Sequence, residues 1–431
     1  MSQPASNPNS KLCDFYLPRK RRFCKTEKKA GSTFCPTHTS GDGASARVPC
    51  PLNPNHTIFA ADVERHVKVC PDKRFDPRDE AYYRHNVNVA GSITSSSAVK
   101  HSDLSEAELS ALATKVCEIY DNLVVAVFSR EHEYRPTDDE QADACDEHTS
   151  SNDDGDVESA AELIGKRRKR AVASTKKHTP QHWGILLQVA QVGWLPPGII
   201  PRTTITPSQI QVPSVILELG AGKAGLALAL REQADLLGPV GESLRTAKTI
   251  VVDKGSFRHK RDACVAATTN PFVRIRIDIK DFFLSGLPNI DCSAPLVIGK
   301  HLCGACTDFA LNTMINSDAT KNSCIAIATC CHHLCDPHLC HAWAQAVVEK
   351  DDSSPLGHIS LREMGAVCSL TSWAVCGKMD PERELLGWKC KRVIDYIRGR
   401  FMFEAHGFSH FSLRTYVPTA VTKENVLLLL W

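Results

Sequence analysis

The sequence predicts an α/β fold, a doubly wound parallel sheet, preceded by two small segments stapled by metal. Three observations predict it. Residues 215–226 read Val-Ile-Leu-Glu-Leu-Gly-Ala-Gly-Lys-Ala-Gly-Leu, an apolar strand, a glycine turn and the start of a helix. Strand-like apolar runs at 215–217, 249–252, 273–277, 296–298 and 324–328 alternate with helical stretches such as 226–231 and 309–315, the pattern that builds parallel sheets. Cysteines and histidines punctuate residues 13–70 at ligand spacing.

Composition narrows the class. A chain of 431 residues suggests two or three domains. Hydrophobic content of 42% is that of a soluble globular protein, and a net charge of +2 gives no global attraction for a polyanion, so a nucleic-acid surface has to come from local patches. Neither a signal-peptide core nor a membrane-length apolar run is seen. The expectation is therefore an intracellular protein, nuclear or cytoplasmic, with no membrane partner. Under those conditions 19 cysteines point to metal sites or reduced thiols rather than disulfides.

In chain order, residues 10–40 carry Cys13, Cys24, Cys35 and His38, spaced C-x10-C-x10-C-x2-H around a basic run at 18–22. Three thiolates and an imidazole suit a closed tetrahedral zinc site. Residues 47–75 carry Cys50, His56, His66 and Cys70, spaced C-x5-H-x9-H-x3-C. His66 and Cys70 lie four apart on one face of a helix predicted over 59–69. Two structural zinc ions would let segments this short fold.

Residues 76–174 read as a helical connector. A Ser- and Asn-rich stretch, 82–100, leads to Ser105 and Glu108, a capping box, and then to Leu109, Leu112, Val116, Ile119, Leu123 and Val127 at helical spacing. That helix is expected to pack between the metal segments and the main domain. Residues 138–160 are acidic and almost free of large apolar side chains, which predicts disorder. Lys166 to Arg170 reverse the sign, as a nuclear address, a phosphate-binding patch or a solvated charge run. The main domain is expected over 175–431, with a helix at 185–192, a Pro- and Thr-rich linker at 201–213 and a separator at 235–247 before the second strand.

The glycine turn carries the first chemistry. Gly220, Gly222 and Gly225 are spaced G-x-G-x-x-G, which first suggests a dinucleotide. A dinucleotide site wants an acid about 20 positions on, and Asp253 comes later than that. Glu218 in the first strand, Asp253 after the second, and Asp278 and Asp281 after the third resemble the layout of S-adenosylmethionine methyltransferases, whose sheet is Rossmann-like. The resemblance implies that Glu218, Gly220 and Gly222 hold the methionine part, that Asp253 takes the ribose hydroxyls and that Asp278 lies beside the adenine. Residues 410–417 and 425–430 then look like the antiparallel pair that closes such a sheet.

Two further strand ends are rich in reactive groups. Residues 299–304 are Gly-Lys-His-Leu-Cys-Gly, with Thr307 and Asp308 beyond; residues 329–335 are Thr-Cys-Cys-His-His-Leu-Cys. Residues 387–395 are Gly-Trp-Lys-Cys-Lys-Arg-Val-Ile-Asp, with Arg398 following, and residues 176–182 lead into the domain as Lys-Lys-His-Thr-Pro-Gln-His. With a CCCH and a CHHC finger ahead of them, these motifs resemble the eukaryotic tRNA 2′-O-methyltransferases that modify the fourth nucleotide, in the acceptor stem. The CHHC finger also resembles that of a spliceosomal component. The resemblance covers both fingers and residues 175–431, and omits the acidic insert. It implies tRNA as partner and S-adenosylmethionine as methyl donor, the fingers gripping the duplex by backbone and shape.

A ribose hydroxyl is a weak nucleophile and must lose a proton as it attacks. Lys300 and His301 are the candidate catalytic residues. Lys300 stabilises an alkoxide, acts as base once burial lowers its pKa, or simply pairs with Asp308 or a phosphate; His301 is the alternative base. The crowd from Cys330 to His341 reads as a substrate-facing loop, a third metal site or, less in keeping with the resemblance, a covalent nucleophile. Two rival functions stand beside the enzyme: an RNA-binding adaptor with an inactive domain, and a methyltransferase of another substrate.

Overall fold

A computed structural model describes residues 6–17, 22–28, 31–35, 38, 47–52, 57–70, 77–89, 99–130, 134, 178–196, 198–200, 210–255, 257, 262, 272–377 and 379–431. His56, the basic runs at 19–21 and 166–170 and the acidic stretch 138–160 lie outside them. The chain divides into two compact units, Met1–Asp76 and Pro77–Trp431.

In the first unit a two-residue hairpin, β1 (Tyr16–Leu17) and β2 (Arg22–Phe23), carries the first ligand set. A second hairpin, β3 (Arg47–Pro49) and β4 (Thr57–Phe59), runs through a 3-10 turn, Ala60–Asp62, into α1 (Val63–Val69). The helix is shorter than the sequence suggested, because residues 57–59 are taken by the hairpin. Neither hairpin has an apolar core of ordinary size: beyond the buried cysteines, Ile58 is the buried hydrophobic residue of this unit among the described residues.

The second unit is built on an eight-stranded sheet. Its strands are β5 (Phe128–Ser129), β6 (Val215–Leu219), β7 (Lys248–Val252), β8 (Phe272–Ile275), β9 (Pro295–Cys303), β10 (Cys324–Cys330), β11 (Phe411–Thr415) and β12 (Val426–Leu430). They lie in the order β5-β11-β12-β10-β9-β6-β7-β8. From β10 to β8 all neighbours are parallel, whereas β12 runs antiparallel to both β10 and β11. The order reverses beside β6, which pairs with β7 on one side and β9 on the other. A crevice forms at such a point, outside the carboxyl ends of the strands.

Strand β6 shows why the sheet is central. All five of its residues are buried. Val215, Leu217 and Leu219 enter one core while Ile216 enters the other, so helices must cover both faces. On one face lie α2 (Glu106–Ile119), α6 (Ala305–Asn316), α7 (Pro337–Val348), α8 (Leu361–Leu370) and α9 (Pro381–His406). On the other lie α3 (Thr179–Gln191), α4 (Gly225–Leu236) and α5 (Glu242–Thr246). Ser105 and Glu108 form the expected reciprocal cap on α2, whose axis continues through a π turn, Tyr120–Val124, toward β5.

The stretch read as a connector is partly built into this unit. Asn88 is fully buried, and its Nδ2 donates to the carbonyls of Ile279 and Phe282 and to Thr313 Oγ1 at 2.7, 2.7 and 2.9 Å. The Asp281 carboxylate accepts from the Asn86 N–H at 2.7 Å, so it serves this strap rather than the crevice. An amide whose two N–H bonds are shared among three buried acceptors cannot be replaced by a methyl group at no cost. Asn88→Ala should lower unfolding stability by about 1–3 kcal/mol, measured by urea denaturation; an unchanged midpoint would show that residues 77–89 are not part of the cooperative unit.

Candidate functional site

The glycine turn between β6 and α4 is left-handed at Gly220, Gly222 and Ala224, with φ of 65°, 51° and 61°. A Cβ on Gly220 would meet Leu302 Cδ2 at 2.5 Å, whereas the space beside Gly222 is open. Gly220 is therefore required by packing against β9, and Gly222 leaves room over the backbone for a ligand.

The acids brace this turn. Glu218 is buried, and its Oε2 accepts from the Ala227 N–H at 2.9 Å in the first turn of α4. Burial pushes its carboxyl up to about 7, against the pull of that hydrogen bond and of Lys300. Asp253 accepts from the N–H groups of Gly222 at 2.8 Å and Gly255 at 2.6 Å. Arg274, on β8, donates to the Gly222 carbonyl at 3.1 Å and forks onto Asp262 at 2.7 Å. Asp278 caps a 3-10 turn, Ile279–Asp281, and lies 3.4 Å from Lys254 Nζ. Thus Glu218, Gly220, Gly222, Asp253 and Asp278 gather at the carboxyl ends of β6, β7 and β8. In this state the carboxylates of Glu218 and Asp253 are occupied by backbone of the turn.

Beside them β9 presents Lys300 and His301. Lys300 Nζ sits 3.0 Å from Nε2 of His182, a buried residue of α3. Burial lowers Lys300 to about 8, opposed by the charge of Glu218. Burial, then Lys300, keeps His182 well below its ordinary value, so its imidazole is neutral and accepts from the lysine. His301 is exposed at the rim in a left-handed conformation, φ 63°. Asp308 is not Lys300's partner: it belongs to Arg398, which holds it through Nε at 2.6 Å and Nη2 at 2.9 Å. The role of His182 was missed in the sequence, although the segment containing it had stood out.

The next strand end is anchored from below. His332 Nε2 and Thr329 Oγ1 meet the two oxygens of Asp395 at 2.8 and 2.9 Å, and Arg392 and Arg398 approach it at 3.1 and 3.3 Å. Burial alone would raise the Asp395 carboxyl; His332 and Arg392 outweigh it and hold the group ionised well below its usual range. His332, Cys335 and Cys340 are buried, so the crowd read from 330 to 341 divides into buried anchors and an exposed or half-exposed set that includes Cys331, His333 and His338. A cavity of about 260 Å³ borders this end, lined by Val89, Ala305, Phe309, Leu334, Cys335, Asp336 and Leu339.

In the first unit, the Sγ atoms of Cys13, Cys24 and Cys35 and a ring nitrogen of His38 all lie within 4.8 Å of one another. His38 Nδ1 is 3.4 Å from Cys13 and Cys35 Sγ, so Nδ1 is the ligand atom. Cys50, His66 and Cys70 converge likewise, with Cys50 and Cys70 Sγ 3.6 Å apart and His66 Nε2 3.2 Å from Cys50. A buried set of three sulfurs and an imidazole, and a second of two sulfurs and an imidazole, fit zinc and little else.

Comparison with known proteins agrees with this division. A CCCH zinc finger of TRM13 proteins matches residues 11–39, and a U11-48K-like CHHC zinc finger matches residues 47–71, so the two segments are zinc-binding fingers. Curated relatives named tRNA:m(4)X modification enzyme TRM13 include one from Eremothecium gossypii, 26% identical over 98% of this chain and 95% of the relative. Others are from Saccharomyces cerevisiae, 24% identical over 99% and 97%, and Schizosaccharomyces pombe, 26% identical over 89% and 95%. No solved structure matches the chain. The model of the methyltransferase TRM13 family matches residues 203–383 and 379–431, more than half of the sequence, and the chain belongs to that family.

Proposed function

We propose that the protein transfers a methyl group from S-adenosylmethionine to the ribose 2′-hydroxyl of the fourth nucleotide in the acceptor stem of tRNA. The observation that carries this reading is the half-buried Lys300, hydrogen-bonded to a neutral His182 beside an open glycine turn. The fold supports it. Five parallel strands, a reversal beside β6 and an antiparallel β12 inserted between β10 and β11 are what a Rossmann-like methyltransferase reading expects of the sheet. The relatives' name supports the substrate.

When bound, S-adenosylmethionine supplies a methyl group on a positive sulfur that a weak nucleophile can attack. Gly220 and Gly222 would let it approach the backbone, with Asp253 exchanging its hold on the loop for the ribose hydroxyls and Asp278 beside the adenine. Lys300 is the base. Its amine, neutral above about pH 8, takes the proton of the 2′-hydroxyl as oxygen bonds to carbon. His182 positions that amine by accepting one of its N–H bonds. Holding the hydroxyl in line contributes the larger part of the rate, and the base a further ~10²–10⁴-fold. The two fingers, with one zinc each, would hold the RNA by its backbone. No described helix is long and apolar enough to cross a membrane.

Nucleoside mass spectrometry of tRNA incubated with the protein and labelled S-adenosylmethionine tests the whole reading. A labelled 2′-O-methylnucleoside at position 4 is expected, and label on a base or on no tRNA would overturn it. Lys300→Ala should lower the single-turnover rate by about 10²–10⁴-fold. Lys300→Arg should be as slow, because a guanidinium stays charged; an active arginine variant would make the group an electrostatic stabiliser instead. Since the unprotonated amine is the working form, the wild-type rate should rise about tenfold per pH unit below pH 8 and level above it.

Asp253→Ala should weaken S-adenosylmethionine binding in a calorimetric titration, both through lost ribose contacts and through a looser Gly222 turn. Unchanged affinity would remove Asp253 from the site. Elemental analysis should show Cys24→Ser and His66→Ala each losing one zinc per chain, and the double variant losing two. Loss of both ions from either single variant would mean that the fingers do not bind independently.

A further inference from the structure

We propose that Cys303, Cys330 and Cys331 bind a zinc ion of their own, at the carboxyl edge of β9 and β10, with the fourth coordination position taken by water. Neither finger includes these residues, and the proposal stands whatever substrate the neighbouring centre methylates.

The sheet brings Cys303 to the adjacent residues Cys330 and Cys331, the first of them 27 positions after it. Cys303 ends β9 and Cys330 ends β10, and the two are direct partners across the parallel ladder. They become partners through the register shift between Ala328 and Thr329: without it, the pairing of Ala328 with Lys300 would set Cys330 opposite Leu302. Cys331 then turns left-handed, with φ 50° and ψ 41°, a conformation that β-carbon residues avoid and that recurs at functional sites. The result is three Sγ atoms within 4.8 Å of one another.

The separation of the sulfurs excludes a disulfide and fits a shared ion. Cys303 and Cys330 Sγ are 3.6 Å apart, far beyond a disulfide bond of about 2.05 Å. Two sulfurs at about 2.3 Å from a tetrahedral zinc stand about 3.8 Å apart. The second finger gives an internal comparison, since Cys50 and Cys70, both members of a zinc-ligand set, are also 3.6 Å apart. Burial is graded to suit an ion that enters from the crevice: Cys330 is buried, Cys331 is half-buried and Cys303 is exposed. Among the described residues no fourth histidine, cysteine or carboxylate joins the set. Three protein ligands with an open fourth position are the coordination of zinc sites that hold water or substrate rather than closed structural ones. Binding replaces up to three S–H bonds by S–Zn bonds and releases those protons to solvent, with no oxidation.

Elemental analysis of the full-length chain, saturated with zinc and then gel-filtered, tests the site. Wild type should hold one zinc more than Cys303→Ser and one more than Cys303→Ser/Cys331→Ser, while both variants keep the two finger ions. Cys330 is left in place because it is part of the buried strand, and Cys303 is exposed, so the single variant does not depend on repacking. Cadmium in place of zinc adds a second readout: thiolate-to-cadmium absorbance should fall in the Cys303→Ser variant by the share of three thiolates. Equal zinc content in wild type and Cys303→Ser overturns the proposal. So does intact-mass evidence of a Cys303–Cys330 disulfide in protein purified without reductant.

Discussion

Arg398 is the side chain on which the working edge of the sheet depends. It projects from α9, is almost fully buried, and meets four partners from three directions. It forks onto Asp308 of α6, approaches Asp395 on its own helix, donates to the Gly304 carbonyl in the β9–α6 turn, and reaches Cys335 Sγ after β10 at 3.1 Å. A buried ion pair adds little net stability over an apolar core of the same shape, because both ions lose their water. What this one adds is position. The turns that follow Lys300 and Cys330 are joined to one rigid helix, so the two strand ends keep a fixed distance.

Around that frame the charges at the edge sort themselves by environment. Glu218 and Lys300 are near enough to influence each other, yet burial pushes the acid up to about 7 and the base down to about 8. Both protonation states of the lysine are therefore accessible near neutrality, which an exposed lysine would not offer. Asp395, buried just as deeply, goes the other way, because the guanidinium groups of Arg392 and Arg398 and the His332 ring all meet its oxygens, while Glu218 accepts from a helix N-terminus and is drawn down more weakly by Lys300 and Arg274. Desolvation is common to all three, and partners in direct contact outweigh it at Asp395 alone.

Much of this was legible in the sequence, and the exceptions have physical reasons. Strands β6, β7 and β10 were visible because buried strands are continuous apolar runs, and β11 and β12 through the resemblance to a methyltransferase sheet. Strand β9 is longer than its apolar run, 296–298, because pairing with β10 carries residues 299–303, Lys300 and His301 among them, along. Acids at three strand ends could be placed by topology, but the direction of each carboxylate could not. Asp253 and Glu218 face backbone N–H groups of the turn, a choice made by hydrogen-bond geometry within 3 Å. The motif at 387–395 lies in a helix, where the buried Lys391, Arg392 and Asp395 serve the frame. His182 and Asn88 act on residues more than 100 positions away, and no local pattern encodes such a pairing. Cys303 stands 27 positions before Cys330, beyond any local spacing: adjacent cysteines looked crowded, whereas the sheet brings Cys303 at the end of β9 to Cys330 at the end of β10 and to Cys331 just after it.

Three of the seven non-glycine residues with positive φ among the described residues lie along this one edge. Ala224, His301 and Cys331 carry side chains at φ of 61°, 63° and 50°, beside Gly220, Gly222 and Gly304. Each non-glycine instance costs about 1–3 kcal/mol, and none lies at an unsupported place. Ala224 follows the turn that Asp253 and Arg274 brace, His301 follows the lysine that His182 holds, and Cys331 precedes His332, locked to Asp395. Gly304 admits no side chain, since a Cβ there would meet Leu334 at 2.5 Å. The strain is therefore imposed by bonds from neighbouring elements and not by the turns' own sequence. A turn held this way has a single accessible conformation, so the side chains on it meet a ligand without first having to be ordered. Pre-ordering matters most for a reaction whose nucleophile is a poorly acidic hydroxyl, where the rate depends on alignment more than on the strength of the base.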